Sequence, residues 1–443
     1  MLLQFTVKNY KVFKDSITFS MLASNYDKAT YENDNVHIDN FHNLRILRSA
    51  VIYGANASGK SKLLEAVDFF KYFVRRSSAE SQMGDPIGVD PFRLNVVSEN
   101  APSEFEIIFL YQSVLYRYGF EVNKQQVLSE WLYHKPKTKE VELFYREGDN
   151  IQVHQRQFNK GRKVALDGMV RNNALLLSVA AQFNDEIAIE VVNGINQLKL
   201  IHSSAQSIYE KYTKEQSESS VWKLKILSML KAADVGIDDY ELETMSTDSI
   251  PNSLPNEIKD TIIKDIENRS LFYTNVKTRH KKYDENGNWV GTTNFVLNKD
   301  ESEGTKKFFA ISGPIIDVLE NGDTLFIDEL DSKMHPNLVK QIVLLFNSKE
   351  VNKKNAQLIF NTHNTNLLSD DLFRRDQVWF VQKNRYGEGS LYSLSDFKST
   401  EVSKREPFEE NYIQGKYGAV PYLNSFNTIH EEMVRYHRKD KEK

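Results

Sequence analysis

The sequence predicts an α/β fold: a P-loop sheet with an antiparallel β meander, and a helical insertion between two lobes. Three observations carry that expectation. Gly54-Ala55-Asn56-Ala57-Ser58-Gly59-Lys60-Ser61 fits G-x-x-x-x-G-K-[ST] between an apolar run and an amphipathic one. Residues 91–157 hold several short runs of strand character. Beyond residue 302, apolar runs alternate with helical periodicity, as in a doubly wound sheet.

In chain order, Leu3, Phe5 and Val7, then Ile17, Phe19 and Met21, alternate as two strands around a turn. Residues 24–44 are polar and read as loop. Ser49 to Tyr53 is a buried strand, and Leu63, Leu64, Val67, Phe70 and Val74 recur at helical spacing after the glycine loop. Phe105–Tyr111, Leu115–Val122, Val141–Tyr145 and Ile151–Val153 are the strands of the meander. From Ala174 to Ile195, Val221 to Ala232 and Ile258 to Ile266 the period becomes helical, without a sustained heptad. Leu271–Val276 and Trp289–Leu297 flank Asn286-Gly287, a hairpin turn signal. A helix over 302–320, a strand ending at Asp328-Glu329, a helix over Pro336–Phe346 and strands at Gln357–Phe360 and Val378–Val381 follow. The tail from 428 mixes charges and reads as a solvated helix or frayed end.

The chain has 443 residues, 40% hydrophobic and 27% charged, with net charge −4. Those values describe a soluble globular protein of about two to three domains, without a global basic field for nucleic acid. There is no cysteine, which excludes disulfides, thiolate metal sites and a Cys nucleophile, and fits a reducing compartment. No apolar run reaches the ~18 residues of a membrane span. The first residues alternate like a strand rather than a signal peptide. A cytoplasmic location is the expectation.

The chemistry starts at the glycine loop. Glycines let backbone amides approach a polyphosphate, and the helix that follows points its first N–H groups at the anion. Lys60 is expected to reach the β- and γ-phosphates and Ser61 to ligate Mg²⁺. Leu325-Phe326-Ile327-Asp328-Glu329 reads as a buried strand delivering carboxylates at its C-terminal end, where open α/β sheets bind ligands. Asp328 is expected to hold Mg²⁺ and Glu329 to polarise the attacking water. His363 follows the next strand. A lone His is more often a surface or cap residue, but its loop should open on the same sheet edge, within reach of a γ-phosphate. Ser302-Glu303-Gly304 precedes a helix, either as a plain cap or as a second phosphate-binding helix start.

The order P-loop, insertion, S-x-G, Asp-Glu, Leu330-Asp331-Ser332 and then a His resembles the ABC-type ATPase heads of the SMC, Rad50 and RecF group. FTVKNYKVFKD resembles the start of such heads. YGANASGKSKLLEA, ESEGTKKFF, DELDSKMHP, NTHN and YIQGKYGAVP are similar to AAA-15-type, OLD-like ATPases of bacterial antiphage defence, the RloA and AbiLi kind; related ATPases occur in the PARIS and Septu systems. The likeness spans nearly the whole chain and is weakest over 184–270. It implies an ABC-type ATPase head that hydrolyses ATP with Mg²⁺. Gly54, Ala55, Asn56, Ala57, Ser58, Gly59, Lys60, Ser61 and Lys62 would hold ATP. Ser61 and Asp328 would hold the metal. Glu329, His363 and Lys60 would be catalytic. Ser302, Gly304 and Asp331 would face the nucleotide of an opposing protomer, so that two heads sandwich two ATPs. The signature departs from L-S-G-G-Q at Glu301 and Thr305. No glutamine is firmly placed in a Q-loop; Gln182 is the candidate metal contact there, with an amphipathic-helix residue as the plain alternative.

The expected organisation is an N-terminal ATPase lobe over 1–183, a helical insertion over 184–270, a C-terminal ATPase lobe over 271–397, and a terminal segment over 398–443. Some 60 residues follow Phe380, too few for most folded catalytic domains. Destructive chemistry is therefore expected in a separately encoded nuclease or toxin, with DNA or a phage protein as candidate trigger and no membrane partner. The rival is a DNA-repair ATPase of the RecF sort that clamps DNA, with Lys277 to Lys282 as a DNA-facing strip or merely a solvated hairpin edge. A third reading makes the chain itself a nuclease through His335 or His363. Tyr412–Pro421 reads equally as a docked turn or a partner-binding edge.

Overall fold

The computed structural model describes residues 1–244, 255, 259, 273–368, 372–398, 402 and 406–421. The N-terminal hairpin pairs β1 (Leu2–Lys8) with β2 (Ile17–Ser20). A short helix, α1 (Glu32–Asn35), and the hairpin β3 (Val36–Asp39) and β4 (Leu44–Leu47) lie in and beside the stretch read as loop. Then come β5 (Ser49–Tyr53) and α2 (Lys60–Arg76). The meander is β6 (Ser103–Tyr111), β7 (Val114–Val122), β8 (Val127–Lys135), β9 (Val141–Glu147) and β10 (Asn150–Val153). It continues onto the N-terminal hairpin as one seven-stranded antiparallel sheet, in the order β10-β9-β8-β7-β6-β1-β2.

Strand β8 escaped the sequence reading because Glu130 interrupts its apolar side. That carboxylate is nonetheless buried. It accepts from the Tyr118 hydroxyl at 2.9 Å and from the amides of Leu176 and Leu177 at 2.7 and 3.0 Å. A buried carboxylate held by three donors caps a helix start rather than facing water.

Helices α3 (Asn159–Leu166), α4 (Leu176–Gln182) and α5 (Glu186–Asn196) lead into β11 (Leu198–Ile201). Helices α6 (Gln206–Gln216) and α7 (Ser220–Ala232) precede β12 (Ile237–Thr244), β13 (Tyr273–Tyr283) and β14 (Trp289–Val296), a separate three-stranded sheet. Among its described residues, the stretch expected to be a helical insertion thus contributes two strands as well as three helices, and β11 belongs to the central sheet. The periodicity from Ile258 to Ile266 and the tail from 428 lie outside the described residues. The chain continues through α8 (Leu297–Asp300), α9 (Glu303–Asn321), β15 (Thr324–Ile327), α10 (Pro336–Asn347), β16 (Gln357–Asn361), β17 (Val378–Lys383), β18 (Gly389–Ser393) and α11 (Phe408–Ile413).

The central sheet runs β11-β15-β16-β5-β17-β18, parallel except for β18. Its inner strands β5, β15, β16 and β17 are largely apolar because both faces are covered. Ala50, Ile52, Phe326, Ile359, Trp379 and Val381 face α2 and the meander. Val51, Tyr53, Leu325, Ile327, Leu358 and Phe360 face the opposite way, toward Phe309, Ile315, Val339 and Ile342 of α9 and α10. Helix α2 lies between the two large sheets, where Phe70 stacks on Phe120 at 5.2 Å and meets Phe5 edge-on at 5.8 Å. The fold is a mixed α/β architecture with a large antiparallel sheet, as expected. Among the described residues no helix is long and apolar enough to cross a membrane.

Candidate nucleotide site

Parallel pairing brings the C-terminal ends of β5, β15 and β16 to one edge of the central sheet. There the glycine loop, Glu329 and the His363 loop line a cavity of about 510 Å³. That volume lies within the usual range for small-ligand sites. Gly59 closes the loop with φ 116°, a left-handed conformation natural to glycine. A Cβ there would stand 2.6 Å from Val12 Cγ2, so a side chain would also collide with the β1–β2 turn. Helix α2 begins at the next residue with its first amides at the cavity.

Lys60 is buried, and its ammonium donates to the carbonyls of Gly54 at 2.8 Å and Ala55 at 3.2 Å. Burial lowers its pKa to about 8, against the pull of Glu329, Asp328 and Asp331. Ser58 Oγ is buried and has no partner among the described residues. The Ser61 hydroxyl donates to Asp328 Oδ1 at 2.8 Å. A buried cation beside an open hydroxyl and carboxylate, facing helix-start amides, fits a polyphosphate with a hard cation, which prefers oxygen ligands. Asn56, Ala57 and Lys62 also line the cavity, although the Lys62 ammonium rests on Glu65 at 2.6 Å.

The second tier of the site was not anticipated. Asn361, the last residue of β16, is buried. Its amide donates to Asp328 Oδ1 at 2.6 Å and its carbonyl accepts the Glu329 N–H at 2.6 Å. Glu329 itself takes φ 52°, a left-handed conformation that costs a non-glycine residue about 1–3 kcal/mol. Its peptide is held on the far side too: Lys307, on α9, donates to the Glu329 carbonyl at 2.6 Å and the Leu330 carbonyl at 3.3 Å. Register hints at Asn361, since Phe360 pairs with Ile327 and the next residues are level. Lys307 lies within the ESEGTKKFF stretch, where no role is expected of it.

His363 sits at the exposed rim of the cavity, with its amide donating to Asp331 Oδ2 at 3.3 Å. Partial desolvation of its ring on the cavity side, then the Lys60 charge, lowers its pKa and favours neutral imidazole. Ser302 is the N-cap of α9, its Oγ accepting from the Thr305 amide at 3.1 Å. It is exposed and does not line this chain's cavity. A Cβ on Gly304 would stand 2.4 Å from the Lys333 carbonyl, so only glycine lets α9 start this close to the loop after β15. Glu301, the departure in the signature, accepts from Thr278 Oγ1 at 2.6 Å and pairs with His280 Nε2 at 2.7 Å, tying α9 to β13.

Gln182 is corrected. It is exposed at the end of α4, and Ser178 of that helix bonds the Val74 carbonyl at 2.6 Å, at the far end of α2. That end lies ~20 Å along the axis from Ser61 at 1.5 Å per residue. The edge strand beside β15 is β11, and the residues leaving it are His202 and Ser203. Ser203 Oγ reaches Asp328 Oδ2 at 3.4 Å. His202 pairs with Asp68 at 3.5 Å, which raises its pKa. His335 is the N-cap of α10, its ring nitrogen accepting the Asn337 amide at 3.2 Å.

Residues 412–421 dock against this same edge. The Tyr412 ring packs between Tyr53 at 5.6 Å and Phe380 at 5.4 Å. Its hydroxyl takes the Gly54 amide and donates to the Ala419 carbonyl at 3.1 Å. On β13, three cations of the proposed DNA strip have carboxylate partners on β12: Lys277 with Glu243 at 2.9 Å, Arg279 with Asp239 at 3.4 Å, and Lys281 with Asp238 at 3.8 Å.

A family described as "AAA domain, putative AbiEii toxin, Type IV TA system" matches residues 49–369. No curated protein matches the sequence. Among solved structures, the SMC head domain from Thermotoga maritima gives a TM-score of 0.41 at 12% identity, covering 88% of this chain and 98% of that one. An SMC head bound to the C-winged helix domain of ScpA gives 0.38 at 12% identity, with coverages of 88% and 97%. An SMC head with an extended coiled coil, bound to the C-terminal domain of ScpA derived from Pyrococcus furiosus, gives 0.33 at 13% identity, with coverages of 88% and 96%.

Proposed function

The chain belongs to this AAA-domain family, and from that premise we propose that it is the ATP-binding and ATP-hydrolysing subunit of an antiphage defence system. In this reading it works in the cytoplasm as a head-to-head ATP-sandwich dimer or larger assembly that senses infection and controls a separate nuclease or toxin. The observation that carries the hydrolytic reading is the bonded series Ser61, Asp328, Asn361, Glu329 at the mouth of the glycine loop. It sets a hydroxyl and a carboxylate where a phosphate-bound cation belongs, and a second carboxylate one residue on.

Phosphoryl transfer to water needs positioning and charge neutralisation more than covalent help. Lys60 and the α2 amides bind the phosphates. Ser61 and Asp328 hold Mg²⁺, which when bound supplies charge neutralisation at the phosphate oxygens. Glu329 orients the attacking water, and His363 contacts the γ-phosphate side. Ser302 and Gly304 serve the partner protomer's nucleotide, and Asp331 lies across the same interface. The exposure of Ser302, outside its own chain's cavity, supports that assignment. The defence role is supported by the toxin–antitoxin description of the family and by the motif likeness. The DNA-clamp reading draws little support from β13, where Lys277, Arg279 and Lys281 face carboxylates.

Glu329→Gln tests the proposal. It should keep ATP binding, lose hydrolysis, and accumulate a dimer whose mass is read by light scattering with ATP. Hydrolysis at the parent rate refutes the catalytic assignment. Replacing Ser302 with Phe should abolish hydrolysis while nucleotide still binds, and unchanged turnover refutes the composite site. An isolated monomer should bind ATP and hydrolyse it poorly.

A further inference from the structure

We infer that Lys307 is a positioning residue that ties the helix serving the partner's ATP to the loop carrying this chain's own Glu329, so that the two sites of a dimer are coupled. The inference rests on the sandwich reading above. Lys307 lies in the second turn of α9, the helix that Ser302 caps. It is buried, and its ammonium is spent on two consecutive backbone carbonyls, those of Glu329 and Leu330. Burying a cation is costly unless it is hydrogen-bonded, and the bonds Lys307 makes hold one particular backbone geometry. Here that geometry is the left-handed Glu329, whose N–H is fixed by Asn361 and whose C=O is fixed by Lys307.

The two anchors differ in kind. Asn361 belongs to β16, which is paired on both sides within the central sheet. Lys307 belongs to the signature helix. The same helix meets this loop twice more. Gly304 abuts the Lys333 carbonyl, and Glu303 pairs with Lys333 at 2.9 Å. These residues lie at helical spacings of three and four from Lys307, so one face of α9 rests on residues 329–333. A displacement of α9 by a nucleotide on the far side of the interface therefore reaches the Glu329 peptide directly. Coupling of this kind needs two sites and an element that both bias, and α9 is that element.

The test uses the full-length chain as wild type, Lys307→Met and Lys307→Arg. Lys307 does not line the cavity, so Lys307→Met should bind ATP within about two-fold of wild type. Its kcat should fall about ten-fold or more, as expected for loss of charge-assisted bonds that orient Glu329. The Hill coefficient for ATP should fall from well above one in wild type to about one. Lys307→Arg, which keeps the donors, should recover both. Unchanged kcat and Hill coefficient in Lys307→Met overturn the proposal. So does a loss of ATP binding equal to the loss of kcat, which a merely structural lysine would produce. If Lys307→Met melts early, Lys307→Gln replaces it, and the same outcomes decide. ATP-driven dimerisation in the Glu329→Gln background separates the two readings. If no dimer forms there, the sandwich reading fails and the coupling with it. If dimers form and the Hill coefficient ignores Lys307, only the coupling fails.

Discussion

Asn361→Leu removes one side chain that joins both carboxylates of the site. The leucine keeps the branched four-heavy-atom skeleton but is bulkier and apolar, so the change removes both hydrogen bonds at once. Asp328 loses a charge-assisted donor at 2.6 Å, and the Glu329 N–H loses its acceptor at 2.6 Å. The first bond is worth about 1.5–3 kcal/mol and the second about 1 kcal/mol, so roughly 3 kcal/mol of local order is at stake. Glu329 then relaxes from φ 52°, recovering its strain, and its carboxylate leaves the position the site built for it. If most of that order serves the transition state, turnover falls about 100-fold, since each 1.4 kcal/mol is about a factor of ten. ATP affinity should move by no more than about three-fold, because Lys60 and the α2 amides are untouched. The assay is steady-state phosphate release across ATP concentration, beside equilibrium binding of a fluorescent ATP analogue. Asn361→Asp gives a second reading. It keeps the acceptor for Glu329 but sets a carboxylate against Asp328, and like charges at this range share a proton with a raised pKa. Its activity relative to wild type should therefore decline as pH rises through that raised value and the shared proton is lost. Wild-type turnover in Asn361→Leu with unchanged ATP binding would refute the reasoning.

Gly304→Ala should lower hydrolysis and disturb the loop after β15, because the new methyl meets the Lys333 carbonyl at 2.4 Å; an alanine variant with parent activity would mean that α9 slides freely. Tyr412→Ala should cost about 3–5 kcal/mol by emptying an aromatic site, whereas Tyr412→Phe should cost about 1 kcal/mol and leave the ring packing intact, both read by denaturant titration. Lys71 is held below its usual pKa, at about 8, by burial first and then by Lys199 and Arg75. The unfolded chain therefore binds the extra proton between about 8 and 10.4, and this group makes stability rise with pH across that window. Lys71→Met should flatten that rise, measured as unfolding free energy at several pH values. Lys277→Ala with Arg279→Ala should leave the salt dependence of any DNA binding unchanged, since both cations already face carboxylates; a shallower salt slope would restore the clamp reading.

What the sequence made legible is local in the chain. The glycine loop carries its own backbone requirements, and Asp328-Glu329 announces itself by following four buried residues. The order of sheet and helix beyond residue 302 is equally visible, because parallel strands covered on both faces are apolar runs. What stayed hidden depends on pairing. Asn361 is an ordinary residue at a strand end until β16 lies beside β15. Glu130 reads as a break in a strand until Tyr118 and two helix amides are found around it.

The misplacement of Gln182 has the same origin and shows where such reasoning must change. A residue expected at the sheet edge was sought at the entry to a helical stretch, because residues 184–270 look helical. The edge is instead made by β11, four residues with little period of their own, placed only by pairing with β15. The groups that leave it are His202 and Ser203, with Gln206 three residues further on at the start of α6. Position along the sheet, rather than residue type, therefore identifies what can approach Asp328. The same rule explains Lys307. Lys307 lies inside the ESEGTKKFF stretch, but nothing in that stretch gives it a role; the role comes from the packing of the helix that Ser302 caps on the loop that Glu329 opens. Its carbonyl partners follow from that packing alone.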